Sequence, residues 1–257
     1  MNKIYLNKEN FPDKNFRKAL AWILGIREGN EITEEKIAVT TFLNVSNKSI
    51  ADLTGIEYFT ALIFLYCYDN QLTSLDVSKS TALTYLKCDN NQLTELDVSK
   101  NTALERLNCS YNQLTALDVS NNTALTELGC SSNHLATLDM SNNTALKWLD
   151  CDGNQLTSLD VSNNTALMVL RCGYNQLTAL DVSKNTALEY LSCNNNQLTS
   201  LDVSKNKMLV HLDCDNNQLT ELDVMENQQL TTLSINKGVK LYFSPNLQKE
   251  LDIIRIP

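Results

Sequence analysis

Eight cysteines stand out for chemistry: Cys67, Cys88, Cys109, Cys130, Cys151, Cys172, Cys193 and Cys214, each 21 residues from the last. An even count of thiols raises disulfides, a zinc site or an activated nucleophile. The spacing argues against all three. Identical slots in stacked turns of chain hold Cβ atoms roughly 4.8 Å apart, beyond the roughly 3.5–4.5 Å of a disulfide. A straight file of thiols also cannot offer tetrahedral ligands. The cysteines are therefore expected to be small buried hydrophobes with inert thiols, in a chain that neither needs nor excludes an oxidising compartment. Eight aspartates, Asp76 to Asp223, keep the same period. A calcium ladder would need six to eight oxygens converging on one point, and the glycine-rich spacing of calcium-binding β-rolls is missing. Each Asp follows a core Leu and is expected to bond backbone N–H groups of a turn. The two histidines, His134 and His211, lie in coils roughly 19 Å apart and cannot share a site. No GxSxG, GxGxxG or HExxH occurs. The chain is thus expected not to be an enzyme and to carry no metal or cofactor.

The elements that hold these residues follow from the period. One unit reads L-x-x-L-x-C-x-x-N-x-L-x-x-L-D-V-S-x-N-T-A, and eight units fill residues 62–229. This is the leucine-rich-repeat template with Cys in the third Leu slot. The alternation in x-L-x-C predicts a short strand with Leu and Cys pointing inward. The Asn behind it turns the chain, and its amide can bond the backbone of the next coil. One coil buries too little to be stable, so coils stack. The expected fold is an α/β solenoid: a leucine-rich-repeat horseshoe with a parallel concave β-sheet and an N-terminal helical cap. Residues 1–39 are read as the cap, 40–229 as one 22-residue unit followed by eight 21-residue units, and 230–257 as a partial repeat and C-terminal cap. In the N-terminal part, Phe16, Leu20, Ile23 and Leu24 share a helical face, and Thr33 with Glu34 and Glu35 marks a second helix start.

Composition excludes further classes. Hydrophobic residues are 43% and charged residues 20% of 257, which fits neither a disordered nor a membrane chain, and no apolar run reaches the length of a transmembrane helix. The opening MNKIYLNKEN lacks an apolar core, so no signal peptide is expected in the sequence as it stands. Net charge is -9, and 20 acidic against 9 basic side chains between 62 and 229 make the acidity a property of the repeats. Nucleic acid would be repelled and a neutral or basic partner favoured.

The repeat, with Cys in that slot and LDVS-x-N-T-A-L behind it, resembles the internalin family of Gram-positive surface proteins, in particular the branch whose 21-residue repeats stack a cysteine ladder. The segment KSIADLTGIEYFTAL from Lys48 to Leu62 is similar to the junction between cap and repeats in that family. The resemblance covers about residues 10–240. It implies a non-enzymatic recognition module, surface-bound or secreted and adhesin-like, with a protein partner favoured over a glycan and a monomer favoured over an oligomer. An intracellular location, and a passive spacer or interaction scaffold, form the alternative reading.

A binding face can be placed by comparing the units with one another. Return-side positions are nearly uniform, whereas outward strand positions vary. Every aromatic between 62 and 229 falls on or just beyond the strand positions. Aromatic and Arg side chains dominate interface energetics, so Phe64, Tyr66, Tyr85, Arg106, Tyr111, Trp148, Arg171, Tyr174, Tyr190 and His211 are the expected partner-binding residues. The competing explanation is that Tyr and Phe are ordinary strand formers.

Overall fold

In each coil the Leu of x-L-x is buried and flanked by residues that face the other way, of which only Gly129 and Ser192 among the repeat strands are buried too. The computed structural model describes residues 3–245 and 251–256, arranged as two compact units that meet in sequence at Leu125 and Thr126.

In the first unit, β1 (Ile4–Tyr5) pairs antiparallel with β2 (Glu31–Ile32) around helix α1 (Lys14–Leu24). Asp13 caps α1, its Oδ1 accepting from the backbone N of Asn15 and Phe16 at 2.7 and 2.8 Å, and Gly25 ends it at φ 62°. That left-handed C-cap favours glycine. The other carboxylate oxygen of Asp13 accepts from Ala51 N at 2.9 Å and so ties the helix to the first coil. Phe16, Leu20 and Leu24 are buried, while Ile23 lies at the margin of the apolar stripe and stays half-buried. Helix α2 (Glu34–Val39) starts at Thr33, whose Oγ1 accepts from Lys36 N. Strands β3 (Phe42–Asn44), β4 (Phe64–Tyr66), β5 (Tyr85–Lys87) and β6 (Arg106–Asn108) follow. They pair in parallel and in register, Leu43 beside Leu65, Leu65 beside Leu86 and Leu86 beside Leu107.

The second unit carries β7 (Glu127–Gly129), β8 (Trp148–Asp150), β9 (Val169–Arg171), β10 (Tyr190–Ser192) and β11 (His211–Asp213) in the same parallel register. Here β12 (Glu221–Asp223) lies on the return side and pairs with β14 (Lys240–Tyr242). On the strand side, β13 (Thr232–Asn236) is flanked by β11 and by β15 (Asp252–Ile256), all parallel. The rest of the expected closing segment, at 246–250 and 257, lies outside the described residues.

A representative coil buries Leu167, Leu170, Cys172, Leu177, Leu180 and Val182, none more than 8% exposed. Each large aliphatic side chain so enclosed contributes about 1.5–3 kcal/mol. The backbone is satisfied by two files of asparagine. The first is the one expected: Asn175 Nδ2 donates to the carbonyls of Cys151 and Cys172 at 3.0 and 3.2 Å, and its Oδ1 accepts from Leu156 N at 3.0 Å. It reaches the preceding coil, not the following one, because the turn folds its amide back under the strand just left. The second file is the Asn of S-x-N-T-A. Asn185, wholly buried, donates to Val161 O and Asn164 O at 2.9 Å each. In the first unit Asn122 makes the same two bonds to Val98 and Asn101.

Candidate interaction surface

On the strand face of the first unit, rings from neighbouring coils touch. Phe42 meets Phe64 and Tyr66 edge-on at centroid distances of 6.4 and 5.3 Å, and Tyr66 meets Tyr85 at 5.2 Å. Cations lie over the rings: Lys87 Nζ is 4.3 Å from the Tyr68 centroid, and the Arg106 guanidinium 5.8 Å from that of Tyr85. Phe64, Arg106 and Tyr111 are exposed, whereas Tyr66 and Tyr85 are half-buried by each other.

The second unit presents a different face. The rings of Tyr190 and His211 stack at 4.4 Å and 3°, and Arg171 covers Tyr190 at 5.1 Å. Trp148, Arg171, Tyr190 and His211 are half-buried and Tyr174 is exposed. Carboxylates crowd this face. Asp152 Oδ1 accepts from Gly173 N at 2.5 Å, and Asp150 Oδ1 from Asp152 N at 3.2 Å. Burial, then the neighbouring Asp150, push the Asp152 carboxyl up to about 6. Burial and a close carboxylate, Asp215, push Asp213 up as well, and burial with Arg171 nearby holds His211 below the usual histidine value.

Tyr111 and Tyr174 stand apart from both sets. They occupy the slot before the turn Asn, where each coil takes a left-handed backbone: Asp69, Asn90, Tyr111, Ser132, Gly153, Tyr174, Asn195 and Asn216 all have φ between 50 and 65°. Gly, Asn and Asp tolerate this region, and bulky side chains are rare there. Both tyrosines nevertheless sit in it, 58% and 61% exposed. Strand propensity cannot account for them, since the slot lies outside the strand. The strain at these two positions is thus not offset by burial of the ring.

The cysteine file settles kinship. All eight thiols are free and buried, and burial pushes those of Cys67, Cys88, Cys109, Cys151, Cys172, Cys193 and Cys214 above the ordinary value, to about 12 at Cys109. The functional domain of InlJ from Listeria monocytogenes, which includes a cysteine ladder, superposes with a TM-score of 0.81 at 39% identity over 99% of this chain and 61% of that one. The chain is an internalin-like leucine-rich-repeat protein of the cysteine-ladder type.

Three further comparisons point the same way. Internalin J of Listeria monocytogenes serotype 4b is 48% identical over 70 residues, 27% of this chain and 8% of that protein. The Leucine Rich repeats family model matches residues 60–101. A leucine-rich-repeat protein of Leptospira interrogans shares the fold, with a TM-score of 0.74 at 24% identity, covering 85% of this chain and 62% of that one. The chain thus spans under two thirds of the InlJ structure and a small fraction of the curated internalin J sequences. Internalin-like leucine-rich-repeat folds generally mediate protein interactions.

The internalin-like coil also accounts for the periodic acids. All eight aspartates of the column accept from the backbone N two residues on, as with Asp76 to Ser78 and Asp181 to Ser183, both 2.9 Å. Among the described residues no group of three His, Cys, Asp or Glu is placed to hold a metal ion, and no helix is long and apolar enough to cross a membrane. Of the ten residues expected to bind, none is buried; five lie in each unit. Sequence reasoning missed Trp22, which is 85% exposed on α1. Its offset of two residues from Leu20 puts it about 200° round the helix, off the apolar stripe, and a helical wheel would have flagged it.

Proposed function

We propose that the chain is a recognition module of a surface-exposed or secreted bacterial protein, which binds a protein partner through the outward residues of its strand face. The observation that carries this reading is the pair of exposed tyrosines, Tyr111 and Tyr174, held in a left-handed slot that favours Asn or Gly. Around them lie Phe64, Tyr66, Tyr85 and Arg106 in the first unit, and Trp148, Arg171, Tyr190 and His211 in the second. Rings and guanidinium groups already packed against neighbours lose little rotamer entropy on docking, which favours them as anchors. The similarity to internalin J supports the extracellular setting.

The test is a screen of the isolated chain against arrayed extracellular protein ectodomains, followed by Tyr111→Asn and Tyr174→Asn. These substitutions suit the slot, so folding is preserved. Each is expected to weaken a captured partner by roughly 10- to 30-fold, the range of a moderate interface anchor. A partner bound equally well by the double variant overturns the face assignment. Capture of nothing points to the spacer reading.

A further inference from the structure

The first unit has a second surface that the repeat columns do not explain. Helix α1 buries Phe16, Leu20 and Leu24, yet an adjacent stripe at i, i+3, i+4 and i+7, formed by Asn15, Lys18, Ala19 and Trp22, borders an open groove. Phe42, Lys48 and Tyr68, from the first coils, form its other wall. Trp22 and Phe42 are 85% and 47% exposed, so a large apolar area faces water. Nothing in helix formation requires Trp at position 22, where Ala or Lys would serve better. Exposed aromatic patches rimmed by polar groups mark interaction sites.

Charge identifies the occupant. No carboxylate lines the groove, whereas Lys18 and Lys48 do, and Lys87 Nζ sits over the Tyr68 ring at its edge. In a chain of net charge -9, this is a local reversal of sign. An occupant must therefore bring negative charge for the lysines and a bulky apolar group for the Trp22–Phe42 wall. We propose that the groove between α1 and the first coils docks an acidic peptide segment of a partner protein, with a large apolar side chain seated against Trp22. Its chemistry is opposite to that favoured by the acidic carboxylates of the strand face; it shares Phe42 and Tyr68 with the edge of that face in the first unit, and the test therefore reads Trp22, which lies on α1 outside it.

The chain has two tryptophans, Trp22 and Trp148. In the Trp148→Phe chain Trp22 is the sole tryptophan and reports on the groove directly. The probes are two pools of short synthetic peptides, one randomised over Glu, Asp, Leu and Phe, the other with Lys and Arg in place of the acids. The acidic pool is expected to give a saturable blue shift of Trp22 emission below about 1 mM, a usual range for an unoptimised peptide. The basic pool is expected to give none. Reversing Lys18 and Lys48 to Glu, both exposed in the full chain, should weaken the acidic pool at least about tenfold and admit the basic one. Three results overturn the proposal: no shift with either pool, an equal shift with both, or a shift without peptide that grows with protein concentration alongside a doubled mass in light scattering. The last would seat a second copy in the groove. Trp22→Ala should melt like the parent, which separates lost docking from lost folding.

Discussion

The return side and the strand face of one coil obey different rules. Along the return side, Asp76, Asp97, Asp118, Asp160, Asp181 and Asp202 all accept from the Ser N two residues on, which holds their carboxyls below the usual range. On the strand face, the same six coils carry Phe, Tyr, Arg, Trp, Val and Tyr at one equivalent position. The difference teaches where the fold constrains composition. A position is uniform where its side chain completes a backbone hydrogen bond of the coil, buried as at Asn185 or exposed as at Asp181, and diverges on the strand face, where the parallel ladder already meets the backbone. The divergent positions are thus available for recognition, and the uniform ones are not.

The sharpest way to break the comparison is to treat a uniform position as if it were free. Asn185→Ala removes one of two donors from each of the carbonyls of Val161 and Asn164, which keep the backbone N–H of Asn164 and Leu167. It should cost about 1–3 kcal/mol, since two buried hydrogen bonds worth about 0.5–1.5 kcal/mol each are lost. Urea denaturation of the variant checks this, and a loss as small as that of a surface substitution would mean that the inner file is dispensable.

A smaller effect of opposite sign is expected where the strand face borrows a strained slot. Tyr174→Asn relieves a tyrosine at φ 50° and should stabilise the chain by about 0.5–1 kcal/mol, while weakening any captured partner. Melting and binding measured on the same sample would separate the two. A variant that loses both would make Tyr174 a packing residue.

The smallest effect is a pH dependence on the acidic face of the second unit. Asp152 has its carboxyl raised to about 6 by burial and then by Asp150. The folded chain thus holds this proton more tightly than the unfolded chain. The ionised form opposes folding above pH 6, and that opposition fades as pH falls towards the ordinary carboxylate value. Asp152→Asn should therefore raise Tm at pH 8 by about 1–3 °C, the solvent-exposed edge of the group limiting the gain, and leave Tm unchanged near pH 3.5. Calorimetry across that range decides it; an equal gain at both ends would remove the electrostatic explanation.

The repeat arithmetic made the coil legible from sequence. Strand centres such as Leu86 and Leu170, the buried thiols and the turn-bonding aspartates all follow from a period of 21 and alternation; that Asn175 bonds between coils also follows, but not that it reaches back to the preceding one. The inner Asn file, Asn101 to Asn227, was not legible as a hydrogen-bonding device, because Asn after Ser reads equally well as a surface turn. The left-handed slot was hidden for a related reason: its occupants range from Gly153 to Tyr174, and backbone sign is not a composition signal. Strands β14 and β15 lie past the last full repeat, where no period exists to extrapolate. At the candidate face, side-chain type pointed to outward positions, four of them exposed and six half-buried, but the stacking of Tyr190 on His211 and the crowding of Asp150 with Asp152 depend on rotamers that spacing does not encode.

The in-register pairing of coils has a consequence for inheritance. Within each unit a coil offers its neighbour the same carbonyls and amides that it receives, so an interior coil can be duplicated or deleted without leaving any bond unmet. Gain or loss of whole 21-residue blocks therefore changes the length of the strand face while leaving its folding rules intact. The terminal coils are the exception, since their outer edges meet α1 and β15 rather than another 21-residue coil.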